Sequence, residues 1–163
     1  MVTEALPRRD ASFVGNWAWL FPLSYVIHIA EEYWGGFPAW IARFWGVESS
    51  LNNFLSWNGG ALFVMTMGVA FVLKSKSYRW LLVSFGTTML INGFAHAVGS
   101  VATLSYSPGL VSGLLLFVPL GLVTLRRARA SVNRRSFRAG VILGFILHGA
   151  VVLLAFGFAR LSA

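Results

Sequence analysis

The 163-residue chain has no cysteine, and only 11% of its residues are charged against 57% apolar. Without cysteine there can be no disulfide, no zinc-thiolate or iron–sulfur site and no cysteine nucleophile. Acidic residues are scarce: Glu4, Asp10, Glu31, Glu32 and Glu48 face 13 Lys and Arg, a formal net charge of +8. In a soluble chain that balance would point to nucleic acid. Here no basic run is interleaved with polar or aromatic side chains able to read bases. A mean hydropathy of +0.72 lies far outside the soluble range and excludes a soluble single-domain enzyme. Also missing are a His-Glu-x-x-His run, a Gly-rich phosphate loop and a Gly-x-Ser-x-Gly context, which removes zincin protease, nucleotide-binding and serine hydrolase readings.

What the chain has instead is long charge-free stretches, at 11–30, 49–73, 80–125 and 139–159. A spanning helix needs about 20 such residues. The third stretch is too long for one span and breaks at Ser105-Tyr106-Ser107-Pro108-Gly109, where proline removes a helix donor and glycine favours a turn. The reading is an all-α integral membrane protein. It is one domain over 1–163, a bundle of five transmembrane helices at about 14–34, 55–73, 80–104, 110–125 and 138–159. The first stretch lacks a small-residue cleavage site and is expected to be retained. Residues 35–52 have helical apolar spacing without the length to span, and are expected to lie in the interface.

Five spans place Arg8, Arg9, Lys74, Lys76, Arg79 and the six arginines of 126–138 on one side, leaving Arg43 and Arg160 on the other. The positive-inside rule then puts the N-terminus in the cytoplasm and the C-terminus outside, in a membrane of bacterial plasma type. Topology and anionic headgroups account for the basic balance without nucleic acid. Trp17, Trp19 and Trp80 fall at the inner interface and Trp34, Trp40, Trp45 and Trp57 at the outer one.

In such a bundle the informative residues are the ionisable ones at membrane depth, which persist only with a partner or a task. His28, Glu31 and Glu32 occupy i, i+3 and i+4 and share one helix face. All three histidines, His28, His96 and His148, lie inside expected spans. At 1.5 Å per residue His96 sits about 25 Å above the entry of its span, level with His28, whereas His148 is about 15 Å up. Asn92, one turn below His96, and Tyr106 in the hairpin are placed to support them. Imidazoles and carboxylates projecting inward in a bundle are a known way to hold Zn, Fe or Mn. Two histidines and one or two glutamates would leave a position for water. A shared site requires the nitrogens of His28 and His96 to come within about 4 Å of a common point with Glu31 or Glu32. Each residue also has an ordinary role open to it: a helix end at the headgroups, a histidine bonded across helices, or a turn with an interfacial tyrosine.

His28-Ile29-Ala30-Glu31-Glu32 and Tyr106-Ser107-Pro108-Gly109 together resemble the uncharacterised membrane family named for its HXXEE motif, which also carries a further histidine and a YXPG motif. His96 is the best match to that histidine and His148 the alternative. The resemblance covers most of the chain and implies an integral-membrane metal-dependent hydrolase. The expected activity is hydrolysis of a lipid-like or amphipathic small substrate at a site near the outer leaflet, using a divalent metal such as Zn, Fe or Mn. Candidate ligands are His28, Glu31, Glu32, His96 and His148. The glutamate not used as a ligand would act as general base, with Tyr106 or Asn92 polarising the attacked group. Two rivals stand beside it. One is a metal-free isomerase or ligand-binding protein of the sterol-isomerase type, an analogy of architecture. The other is a small proton or cation transporter, which needs a polar path to the cytoplasmic face where only Asn16, Ser84, Thr87 and Thr88 are on offer.

Overall fold

A computed structural model describes residues 13–161, with side chains described to Leu154. Arg8 and Arg9 of the expected charge asymmetry lie outside the described residues. The described residues form six helices and no strand: α1 (Leu20–Trp34) after a 3-10 turn (Asn16–Trp19), α2 (Phe37–Trp45), α3 (Leu51–Lys74), α4 (Arg79–Thr103), α5 (Leu110–Ser131) and α6 (Arg134–Leu161). The short helix expected after the first apolar stretch is α2. The hairpin expected at 105–109 is the turn between α4 and α5.

Four of the five expected spans stand as helical segments of crossing length. Four helical segments, Leu51–Lys74, Lys76–Thr103, Leu110–Ser131 and Arg134–Leu154, are long and apolar enough to cross a membrane. The segment expected at 14–34 is instead a 4-residue turn followed by a 15-residue helix, short of the roughly 20 residues a crossing requires. Its proline, Pro22, sits in the first turn of α1, where a missing N–H costs nothing. The chain is an integral membrane protein on these four helices.

The helices pack around α4, which is buried without a break from Leu82 to Thr87. Small residues allow this close approach. A Cβ at Gly140 of α6 would lie 2.6 Å from the Trp80 carbonyl oxygen, and one at Gly144 would lie 2.5 Å from Thr87 Cβ. Thr88 Oγ1 donates to the Gly144 carbonyl at 3.1 Å along the same seam. Large apolar side chains remain on the outside, among them Phe63, Leu115, Phe145 and Leu153, as a hydrocarbon solvent permits.

Antiparallel packing sorts the charge by end. The turn between α3 and α4 and the one between α5 and α6 share an end with Lys74, Lys76, Arg79 and the arginines of 126–138. Glu31, Glu32 and Glu48 lie toward the other end, where α1 and α4 finish and α3 and α5 begin.

Candidate metal centre

Three helices bring the site together. The last turns of α1 carry His28 and Glu32 on one face, spaced i, i+4. The upper part of α4 carries His96, and α5 begins beside both. Two glycines set the distance between α4 and α5: a Cβ on Gly93 would stand 2.7 Å from the Gly113 carbonyl oxygen, so the backbones touch one turn below His96.

Glu32 is the centre. Its Oε1 lies 3.6 Å from His28 Nε2 and 3.4 Å from His96 Nε2, and all three side chains are buried. Their ligand atoms lie within 4.8 Å of one another, so all fall within about 2.8 Å of a common point, inside the limit for a shared site. A tetrahedron with bonds of about 2.1 Å has edges of about 3.4 Å, close to both observed separations.

The far nitrogens of the imidazoles are held by hydroxyls. His28 Nδ1 is hydrogen-bonded to Ser112 Oγ at 2.8 Å and His96 Nδ1 to Ser107 Oγ at 3.0 Å. Where the hydroxyl accepts from Nδ1–H, the Nε2 lone pair faces Glu32; where it donates to Nδ1, Nε2 carries the proton. His28 Nε2 is buried without a hydrogen-bond partner, with Glu32 Oε1 at 3.6 Å, an exception among buried polar atoms. Aromatic rings close the sides: Phe117 stands 4.3 Å from the His28 ring and Phe37 stands 5.7 Å from the His96 ring.

The helix α5 reaches His28 twice, through Ser112 and Phe117. In a regular α-helix, side chains five residues apart diverge by about 140°. Here Gly113–Phe117 is a π-helical turn, whose wider winding returns residue i+5 to nearly the same face, and such turns recur at functional sites.

Glu31, one residue from Glu32, has a different neighbourhood. Its Oε1 accepts from Tyr106 OH at 2.5 Å, from Val111 N–H at 2.9 Å and from Gly109 N–H at 3.1 Å, while Oε2 accepts from Ser112 N–H at 2.6 Å. The carboxylate therefore caps the first turn of α5 from another helix, where the dipole favours negative charge. Burial, with the hydrogen bond and charge of Glu31, pushes the Tyr106 phenol up to about 12, so it stays a neutral donor at physiological pH.

Of the residues expected at the site, the structure unites His28, Glu32 and His96. Glu31 and Tyr106 pair with each other at its edge. Asn92 lies one turn below His96 with its Oδ1 buried and unpartnered. His148, on α6, stands outside the group of three.

Sequence reasoning passed over Ser107, Ser112 and the detailed role of Gly109. Gly109 has φ +99°, and a Cβ there would lie 2.6 Å from His96 Cε1 and 2.8 Å from His28 Cε1. Its hydrogen lies against both imidazoles, which explains a glycine in the turn beyond turn chemistry. The signal for Ser112 was available, since it and Thr124 are the polar residues of the apolar run 110–125. Gly109→Ala is expected to destabilise the fold by about 1–3 kcal/mol through backbone strain and overpacking, read as a lowered thermal midpoint in detergent. An unchanged midpoint would contradict the close packing of this turn on the histidines.

A family model described as "Protein of unknown function with HXXEE motif" matches residues 19–124, which takes in α1 through most of α5 and every residue of the cluster. The chain is also similar to YrkK, an uncharacterized protein of Bacillus subtilis (strain 168), with 26% identity over 96 residues, covering 56% of this chain and 61% of the relative. The chain thus spans under two thirds of that relative's length. No solved structure matches.

Proposed function

Because the chain belongs to the family of proteins of unknown function with the HXXEE motif, we propose that the family's two motifs build a metal-dependent membrane hydrolase acting on a lipid-like or amphipathic substrate. The observation that carries this reading is the buried group of two imidazole nitrogens and one carboxylate oxygen at metal-ligand spacing. His28, Glu32 and His96 are the ligands. Two histidines and a carboxylate suit Zn, and also Fe or Mn, with coordination positions left open. A divalent ion held there would supply Lewis acidity and lower the pKa of water toward neutrality.

The chain's own side chains do the rest. Ser107 and Ser112 orient the imidazoles, and Phe37 and Phe117 exclude bulk water. Asn92 offers a buried acceptor to a substrate or water O–H. Glu31 is held as a cap with both oxygens engaged, and the general-base role assigned to a second glutamate passes out of the mechanism. The turn and helix over Asn16–Trp34 together approach the length of a crossing and serve as the fifth. The basic end then faces the cytoplasm of a bacterial plasma membrane, and the site faces the outer leaflet.

The same geometry favours a second reading, since Glu32 Oε1 is within ion-pair distance of both imidazoles. Without metal, the three groups form a proton-transfer array of the kind a membrane isomerase needs. Elemental mass spectrometry on tag-free, detergent-purified protein separates the two. We expect about one Zn, Fe or Mn per chain, lost in His28→Ala, as a three-ligand site requires. No metal in the wild type, even after reconstitution, would overturn the hydrolase in favour of proton transfer.

A further inference from the structure

At the end of the bundle remote from the histidines, a cavity of about 430 Å³ opens between the start of α4 and the start of α6. Lys76, Ser77, Arg79, Trp80, Asn133 and Ser136 line it. Beside it Gly140 of α6 packs closely on the Trp80 backbone, which holds the two helices side by side. We propose that the cavity is a binding site for a phosphate group, carried either by an anionic phospholipid headgroup or by a soluble phosphate ester.

Arg79 supplies the first argument. Its Nε is buried and has no hydrogen-bond partner, and a buried guanidinium N–H left unmatched is costly. Phosphate oxygens match the guanidinium fork better than any other common anion except a carboxylate. Among the described residues no carboxylate is within reach: Glu31, Glu32 and Glu48 lie at the other end, and no described Lys or Arg forms an ion pair.

The remaining lining fits the same ligand. Lys76 adds a second positive charge, and the hydroxyls of Ser77 and Ser136 add neutral donors. Asn133 Oδ1 already accepts from Ser136 N–H at 2.8 Å, which leaves the amide NH2 as its free face. Both flanking helices begin here with no acidic residue in the first turn, so their dipoles reinforce the positive field. Trp80 beside the cavity is a side chain of the headgroup level. A cluster of basic residues for topology alone would need neither the cavity nor an arginine Nε buried without a partner.

The test uses the full chain, delipidated in a neutral detergent and examined by native mass spectrometry. Dioleoylphosphatidylglycerol, dioleoylphosphatidylcholine and inorganic phosphate are added in turn. We expect one phosphatidylglycerol per chain to be retained in preference to phosphatidylcholine. Arg79→Gln should weaken it about five- to tenfold, the loss expected for one basic group at an anionic headgroup. A double variant, Arg126→Gln with Arg127→Gln, keeps the site because neither residue lines the cavity. Phosphate that binds in an Arg79-dependent way without a phosphatidylglycerol preference supports the site and assigns it to a soluble ester. Should Arg79→Gln fail to fold, Lys76→Gln and Ser136→Ala carry the same expectation. Equal retention of both lipids with no phosphate binding overturns the proposal. So does a loss in the double variant as large as in the cavity variants.

Discussion

Glu32→Gln is expected to bring bound metal from about one per chain to near zero, while Glu31→Gln keeps the stoichiometry at saturating metal. The two glutamates are adjacent in sequence and identical in chemistry, so the contrast isolates position. Glu32 presents Oε1 between two imidazole nitrogens at 3.4 and 3.6 Å. An amide in its place carries no charge and is a poor ligand. The loss should exceed the about 10- to 100-fold typical of changing a group that only orients a ligand. That lesser penalty is what Ser112→Ala should show, since Ser112 holds His28 through Nδ1. Glu31 makes no contact with the three ligand atoms, and its glutamine variant should alter affinity only through α5. Metal titration followed by elemental analysis of the washed protein reads all three. If Glu31→Gln lost its metal and Glu32→Gln kept it, the roles assigned to the pair would be reversed.

The pair shows where the sequence stopped being legible. Helical periodicity put His28, Glu31 and Glu32 on one face, and depth counting matched His28 to His96. Both inferences depend only on rise and angle per residue; the structure brings His28, Glu32 and His96 together and turns Glu31 to the start of α5. Which carboxylate meets the histidines depends on where a third helix starts, and no local pattern encodes that. The 100° between Glu31 and Glu32 turns one toward α4 and the other toward the first turn of α5. The tyrosine and glycine of the YXPG turn read as turn and interface chemistry because their partners are 75 and 78 residues away. Where α-helical winding begins in the first apolar stretch was not legible for another reason. Charge-free composition continues through residues 11–19, but the helix proper starts only at Leu20. Hydropathy detects what can enter a bilayer and is blind to where helical winding begins.

Glu31→Ala should be the most destabilising single change at the site outside the ligands. The carboxylate accepts three backbone N–H groups at the start of α5 and the Tyr106 hydroxyl. Removing it leaves helix-end donors without a partner, and Gly109 and Ser112 are buried. Hydrogen bonds to a charged group contribute about 1.5–3 kcal/mol each. Tyr106 and Val111 are exposed, so water replaces part of the loss and the sum overstates it. A net cost of about 3 kcal/mol is expected, which lowers the midpoint by roughly 6–12 °C in a chain of this size. Tyr106→Phe removes one donor and should cost about 1 kcal/mol. In the Glu31→Ala background it should cost almost nothing, because contacting residues are not additive. Hydrogen exchange gives a local readout: the amides of Gly109, Val111 and Ser112 should lose protection in Glu31→Ala ahead of the core of α4. A variant melting within about 2 °C of wild type with those amides still protected would show the cap to be idle. Because Gly109 rests on the imidazoles and Ser112 holds His28, loosening this cap moves the groups that orient the ligands. One glutamate of the HXXEE motif thus builds the site and its neighbour holds the YXPG turn over it, which is the physical reason for two acidic residues side by side.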